Sequence, residues 1–71
     1  MVRVEFDVGG AGELRVVSVE VPRGSPLKVA LRAIGQPPEG CAVLLKDVPV
    51  PLDLPLDTPL RFTVVRTFSG G

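Results

Sequence analysis

Apolar and charged side chains alternate without a break across Val2-Arg3-Val4-Glu5-Phe6-Asp7-Val8. A period of two puts Val2, Val4, Phe6 and Val8 on one face of an extended strand and Arg3, Glu5 and Asp7 on the other. The pattern returns late in the chain, with Leu60, Phe62 and Val64 set against Arg61, Thr63 and Val65. A chain of 71 residues with such strands near both ends has to build a sheet with one wet face, and the residues between must cover the other. At this size only about 60% of the unfolded chain's surface is buried, which leaves a thin stability margin. Cys41 is the single cysteine and there is no histidine, so neither an internal disulfide nor a Cys/His metal cluster is expected. Hydrophobic packing has to hold the fold, and an apolar content of 45% can do so.

The intervening residues predict the cover. "GGAG" at 9–12 reads as a tight hairpin turn, where glycine supplies positive φ. "ELRVVSVEV" then reads as a second strand, antiparallel to the first. Its alternation slips between Val16 and Val17, which predicts a β-bulge. The period changes in "PRGSPLKVALRAIGQPPEG". Leu27, Ala30, Leu31 and Ile34 recur at helical spacing, with Ser25 as N-cap and Pro26 at the first helical position. Gly35 is placed for a left-handed C-cap, and Pro37 and Pro38 block continuation. The helix is about ten residues long, too short to persist in water unpacked. "CAVLLK" reads as a third strand, Asp47 as a turn and "VPV" as a short edge strand. In the proline-punctuated "PLDLPLDTPL", Leu52, Leu54 and Leu56 are expected to tuck beneath the sheet. A right-handed crossover through the helix makes the last strand a parallel neighbour of the first. The expected class is α+β: a mixed sheet of four to five strands with one short helix packed on one face.

Composition removes several functions. Eight Lys plus Arg balance eight Asp plus Glu, so there is no general field for nucleic acid or an anionic membrane. The aromatic residues are Phe6, Phe62 and Phe68, too few for a base-stacking platform. No signal peptide or membrane span is expected, and one unpaired cysteine fits a cytoplasmic protein. The absence of asparagine and the eight prolines fit a thermophile or a codon-biased genome. "GGAG" leads into a strand without a following Gly-Lys-Ser/Thr, so it is no phosphate loop. Without histidine the usual triad and general base are missing. Cys41 opens an apolar strand and reads as core packing rather than as a nucleophile. Asp53 and Asp57 read as turn formers rather than as a cation site. Prolines 49, 51, 55 and 59 read as loop rigidity rather than as a polyproline ligand. Arg61 and Arg66 read as solvated strand charges rather than as ion-pair partners for acidic residues of another protein. No catalytic constellation is present, so the chain does not read as a stand-alone catalyst.

The sequence ends on "RTFSGG". Glycine brings no side chain to a core, and the plain reading of such an ending is a loose terminus. A hairpin, a short helix, further strands and then Ser69, Gly70 and Gly71 after a terminal β-strand resemble the ubiquitin-like β-grasp sulfur carriers and small protein modifiers. That group includes the thiamine-pathway carrier, the small subunit of molybdopterin synthase, and archaeal and bacterial modifiers. The resemblance spans the chain as topology, and its specific part is the end. Where many members carry an acidic-glycine-acidic turn before the last strand, this chain has "DTPL" at 57–60.

The resemblance implies a β-grasp domain over residues 1–66 and a flexible tail over 67–71. It implies a chain that is no enzyme and binds no cofactor. An adenylyltransferase of the ubiquitin-activating kind would use ATP to activate the Gly71 carboxylate. Sulfur from a sulfur donor or sulfurtransferase then gives a thiocarboxylate, and a target-protein lysine gives an isopeptide bond. Gly70 keeps the thread thin enough for a narrow channel, and Ser69, Phe68, Val65 and Arg66 are the candidate tail and docking residues. Val65, with Leu44 or Leu45, is placed on the open sheet face as a protein-binding patch. Lys28 and Lys46, the only lysines, are the candidate acceptors for self-linked chains. Two alternatives stand beside this reading: the small sulfur-donating subunit of molybdopterin synthase, bound to its large subunit, and a non-covalent β-grasp interaction module.

Overall fold

The computed structural model describes residues 1–10 and 13–66. Two long strands, β1 (Val2–Gly10) and β2 (Glu13–Val21), are followed by a two-residue strand β3 (Ser25–Pro26) and the helix α1 (Leu27–Ala33). A 3₁₀ turn over Pro38–Gly40 leads into β4 (Cys41–Leu45), β5 (Val48–Val50), β6 (Pro55–Leu56) and β7 (Arg61–Arg66). The main sheet has five strands in the order β2-β1-β7-β4-β5, while β3 and β6 form a separate small pair. β7 runs parallel to β1 and antiparallel to β4. The fold is therefore a small α+β unit with a mixed five-stranded sheet and one short helix.

The period of two decides the two faces. Val2, Val4, Phe6, Val21, Val43, Phe62 and Val64 are buried on the covered face. α1 meets them with Leu27, Ala30 and Leu31, all fully buried, and with half-buried Ile34. Phe6 and Phe62 are direct partners across β1 and β7. Their rings stack with centroids 5.6 Å apart and planes 25° apart, a pair that adds about 0.5–1.5 kcal/mol beyond its buried area. Cys41 is buried in this core. Leu56 is fully buried below the sheet, and Leu52 and Leu54 pack half-buried against the core.

Three expectations are corrected. β2 carries no bulge, because its pairing with β1 is continuous from Val2↔Val21 to Gly10↔Glu13. The unbroken register keeps Val17, Val19 and Val21 opposite Phe6, Val4 and Val2. Its cost is one valine on the wet side, Val16, at 53% exposed. Gly9 and Gly10 belong to β1, so the turn narrows to residues 11–12, which lie outside the described residues.

The third correction concerns the start of the helix. Pro26 occupies the N-cap and no side chain caps α1, which has seven residues rather than ten. Ser25 and Pro26 are instead engaged by Leu56 and Pro55 across the small β3–β6 pair. The first helical N–H groups donate to carbonyls of the proline-rich connection, Leu27 to Leu54 and Lys28 to Leu52, each at 2.9 Å. Those bonds replace the side-chain cap and tie the connection beneath the sheet. The far end follows expectation. Gly35 has φ +82°, its N–H donates to the Arg32 carbonyl, and Gln36 N–H donates to the Leu31 carbonyl. That double closure is the Schellman arrangement, which needs a left-handed residue at this position.

Candidate functional site

The open face of the sheet is where the fold leaves side chains available. Register sorts it into rows that run across the strands. Ser18, Glu5 and Arg61 form one row, and Val16, Asp7, Thr63, Leu44 and Pro49 form the next. Ala42 and Val65 sit beyond them, one pair nearer the end of β7. The rows change chemistry along the strands. Arg3, Glu5, Asp7, Glu20 and Arg61 occupy the half where β1 and β7 begin. Val65, Ala42, Leu44 and Pro49 occupy the half where β7 ends.

An ion pair marks the border. Arg61 forks onto Asp7, with Nε 3.0 Å from Oδ2 and Nη2 2.7 Å from Oδ1. The Asp7 side chain is only 16% exposed. The hydrogen bonds from Arg61 hold the Asp7 carboxyl below the usual aspartate range; they outweigh the upward push from burial, and the Arg61 charge adds a smaller downward pull. The same bonds push the Arg61 guanidinium further up. Arg61 is thus engaged within the sheet rather than being a free strand charge. Beside it lies an open depression of about 440 Å³, lined by Arg3, Glu5, Pro59, Leu60 and Arg61. Arg61 starts β7 and Arg66 ends it, so this depression and the chain's exit are roughly 17 Å apart along the strand at ~3.3 Å per residue.

The candidate docking residues fall at the apolar end. Val65 is 42% exposed, directly opposite Ala42. Leu44 lies on the same open face, opposite Thr63 and Pro49, whereas Leu45 turns inward and packs on the core. The alternative between Leu44 and Leu45 therefore resolves to Leu44. Arg66 is exposed at the end of β7, opposite Cys41. Cross-strand neighbours of this kind stand about 5 Å apart and present one continuous surface. Phe68, Ser69, Gly70 and Gly71 lie outside the described residues.

No protein-family model matches the chain, and a search of curated proteins returns no match.

The two lysines are placed differently. Lys28 Nζ stands 3.3 Å from Asp53 Oδ1 across the surface. Lys46 is exposed at the tip of the β4–β5 turn, where it and Asp47 hold φ of 52° and 67°. Two successive left-handed residues make a type I′ turn, which fits the twist of a tight hairpin. Asp57, read as a turn former, offers its main-chain carbonyl to Arg23 Nε at 3.3 Å. The described residues hold no group of three or more His, Cys, Asp or Glu arranged for a metal ion. None of their helices is long and apolar enough to cross a membrane. The Asp7–Arg61 fork is the feature that sequence reasoning missed. Its signal was the parallel placement of the first and last strands, which brings residues 54 apart in sequence side by side once register is known.

Proposed function

We propose that the chain is a ubiquitin-like β-grasp carrier or modifier whose Gly71 carboxylate is activated by a partner enzyme. The observation that carries the reading is the place of β7. It lies between β1 and β4 and leads the chain toward residues 67–71 from the apolar end of the open face. A partner that covers Leu44, Ala42 and Val65 would have the "SGG" sequence within reach. Residues 67–71, if extended, span roughly 17 Å at ~3.4 Å per residue.

In the proposed reaction the Gly71 carboxylate attacks the α-phosphate of ATP and pyrophosphate leaves. The resulting acyl adenylate is electrophilic at carbon. A sulfide nucleophile adds there and AMP departs, which leaves a thiocarboxylate; a lysine amine in its place gives an amide and releases AMP and a proton. No redox step is needed when sulfur arrives as sulfide. The catalytic groups are the partner's. This chain contributes a neutral, rigid body, an apolar docking face and an unbranched end, because a side chain at either last position would widen the thread and restrict its backbone.

The test is intact mass of the full chain after incubation with an activating enzyme, ATP and sulfide. Replacement of one oxygen by sulfur, lost on deleting Gly70 and Gly71, is the expected result. An unchanged mass with activating enzymes from the source organism, together with full cellular function after that deletion, would overturn the reading in favour of a non-covalent interaction module. Val65→Asp is expected to slow adenylation through KM while the folded state persists.

A further inference from the structure

The two edges of the main sheet are built differently. β5 is three residues long and contains Pro49, a short proline-bearing edge of the kind that discourages further pairing. β2 is nine residues long, with no proline, no lysine and no bulge. Among the described residues no strand lies beyond it.

The direction of its main chain can be read from one hydrogen bond. Glu5 N–H donates to the Leu60 carbonyl at 2.9 Å, so at Glu5 the backbone of β1 points toward β7. By alternation Val4, Phe6 and Val8 point toward β2, where they face Val19, Val17 and Arg15. Ser18 faces Glu5 and therefore turns its N–H and C=O away from β1, as do Leu14, Val16 and Glu20. These outward groups are spaced symmetrically about Val17.

We propose that a second copy of this chain pairs antiparallel along β2, two-fold about Val17. In that register Val16 meets Ser18 and Leu14 meets Glu20 of the second copy, and each such pair exchanges two main-chain bonds. Every outward N–H and C=O from Leu14 to Glu20 is satisfied in both copies. A shift of the pairing by two residues in either direction leaves some of them unpaired. Val17 meets Val17 on the covered side in the close, non-hydrogen-bonded position, where β-branched pairs pack well. Charge favours a self-partner. Arg15 falls opposite Val19 and Glu20 opposite Leu14, so no like charges are opposed, and the formal net charge of +0 removes long-range repulsion between copies. The product is one continuous ten-stranded sheet, with both helices on one side and both apolar open faces on the other. The contact is narrow and mostly main chain, which places it in the weak class of associations.

The inference rests on the sheet edge and is independent of the chemistry at Gly71. Sedimentation equilibrium of the full chain up to ~1 mM is the test, with amide hydrogen exchange read at Val16, Ser18 and Glu20. A concentration-dependent dimer is expected, with these amides more protected as concentration rises. Ser18→Pro removes an outward N–H and leaves the β1 ladder intact; it should raise the dissociation constant at least about tenfold. Val16→Lys keeps the main chain and adds a charged edge side chain; it should act in the same direction, and it decides the matter if Ser18→Pro fails to fold. A monomer at every concentration would overturn the proposal. So would a dimer indifferent to both variants, or protection of these amides only when a different protein is added.

Discussion

Val64 and Val65 are chain neighbours and sit in different solvents. Val64 is 4% exposed against the helix, and Val65 is 42% exposed on the open face. The same division separates Phe62 from Thr63 and Val43 from Leu44. One set of strands thus carries both the stability of the unit and the surface proposed to meet a partner, and only the parity of the residue number tells them apart. The two faces also use different forces. The covered face is a close-packed apolar layer without a buried charged side chain among the described residues. The open face is held at one end by a charged fork and left apolar at the other.

The sharpest way to break the comparison is to remove the centre of the covered face. Phe62→Ala deletes one ring of the Phe6–Phe62 stack and leaves a cavity beneath α1. It should cost about 3–5 kcal/mol, a large part of what so small a unit holds, and urea unfolding would measure it. Gly35→Ala tests the helix that covers this face. The position is open to an added methyl but holds a left-handed φ, so the loss is backbone strain alone, about 1–2 kcal/mol by thermal unfolding.

The charged fork gives a pH signature. Asp7 has a folded pKa below its unfolded value, so the pair's contribution is fully present above the ordinary aspartate range. It is lost as pH falls from that range through the depressed folded value. Asp7→Asn should flatten this acid limb of a stability-against-pH profile; an unchanged limb would mean that the fork contributes nothing. Smallest of all should be Val65→Thr, which keeps the β-branched shape. A stability change within about 0.5 kcal/mol is expected, with a measurable loss only in partner binding. A destabilisation as large as that of Phe62→Ala would mean that the two faces are not separable.

Much of the covered face was legible because alternation and helical spacing are local signals. Phe6, Phe62 and Leu31 declare their side from their neighbours alone. Features that depend on meetings between distant residues were not legible. Ser25 looks like a helix cap, but its pairing with Leu56 and the bonds from the helix start to Leu52 and Leu54 answer to tertiary contacts. Val16 looked like a reason for a bulge. Keeping the whole β1–β2 ladder outweighed the exposure of one valine, a comparison that no local window contains. Of the proposed docking face, Val65 could be placed from the pattern. Leu44 was separable from Leu45 only by the register with Thr63, because a strand of nearly continuous apolar residues carries no alternation to read.

The position of β7 has a consequence for how the molecule comes into being. Before residues 61–66 leave the ribosome, the growing chain can hold two separate hairpins, β1 with β2 and β4 with β5. Neither touches the other within the sheet, because the strand that joins them has yet to appear. Half of the aromatic stack and the acceptor side of the Asp7–Arg61 fork wait unpaired until then. The keystone therefore comes late: among the described residues, the strand that turns two loose ribbons into a single sheet is the last in chain order.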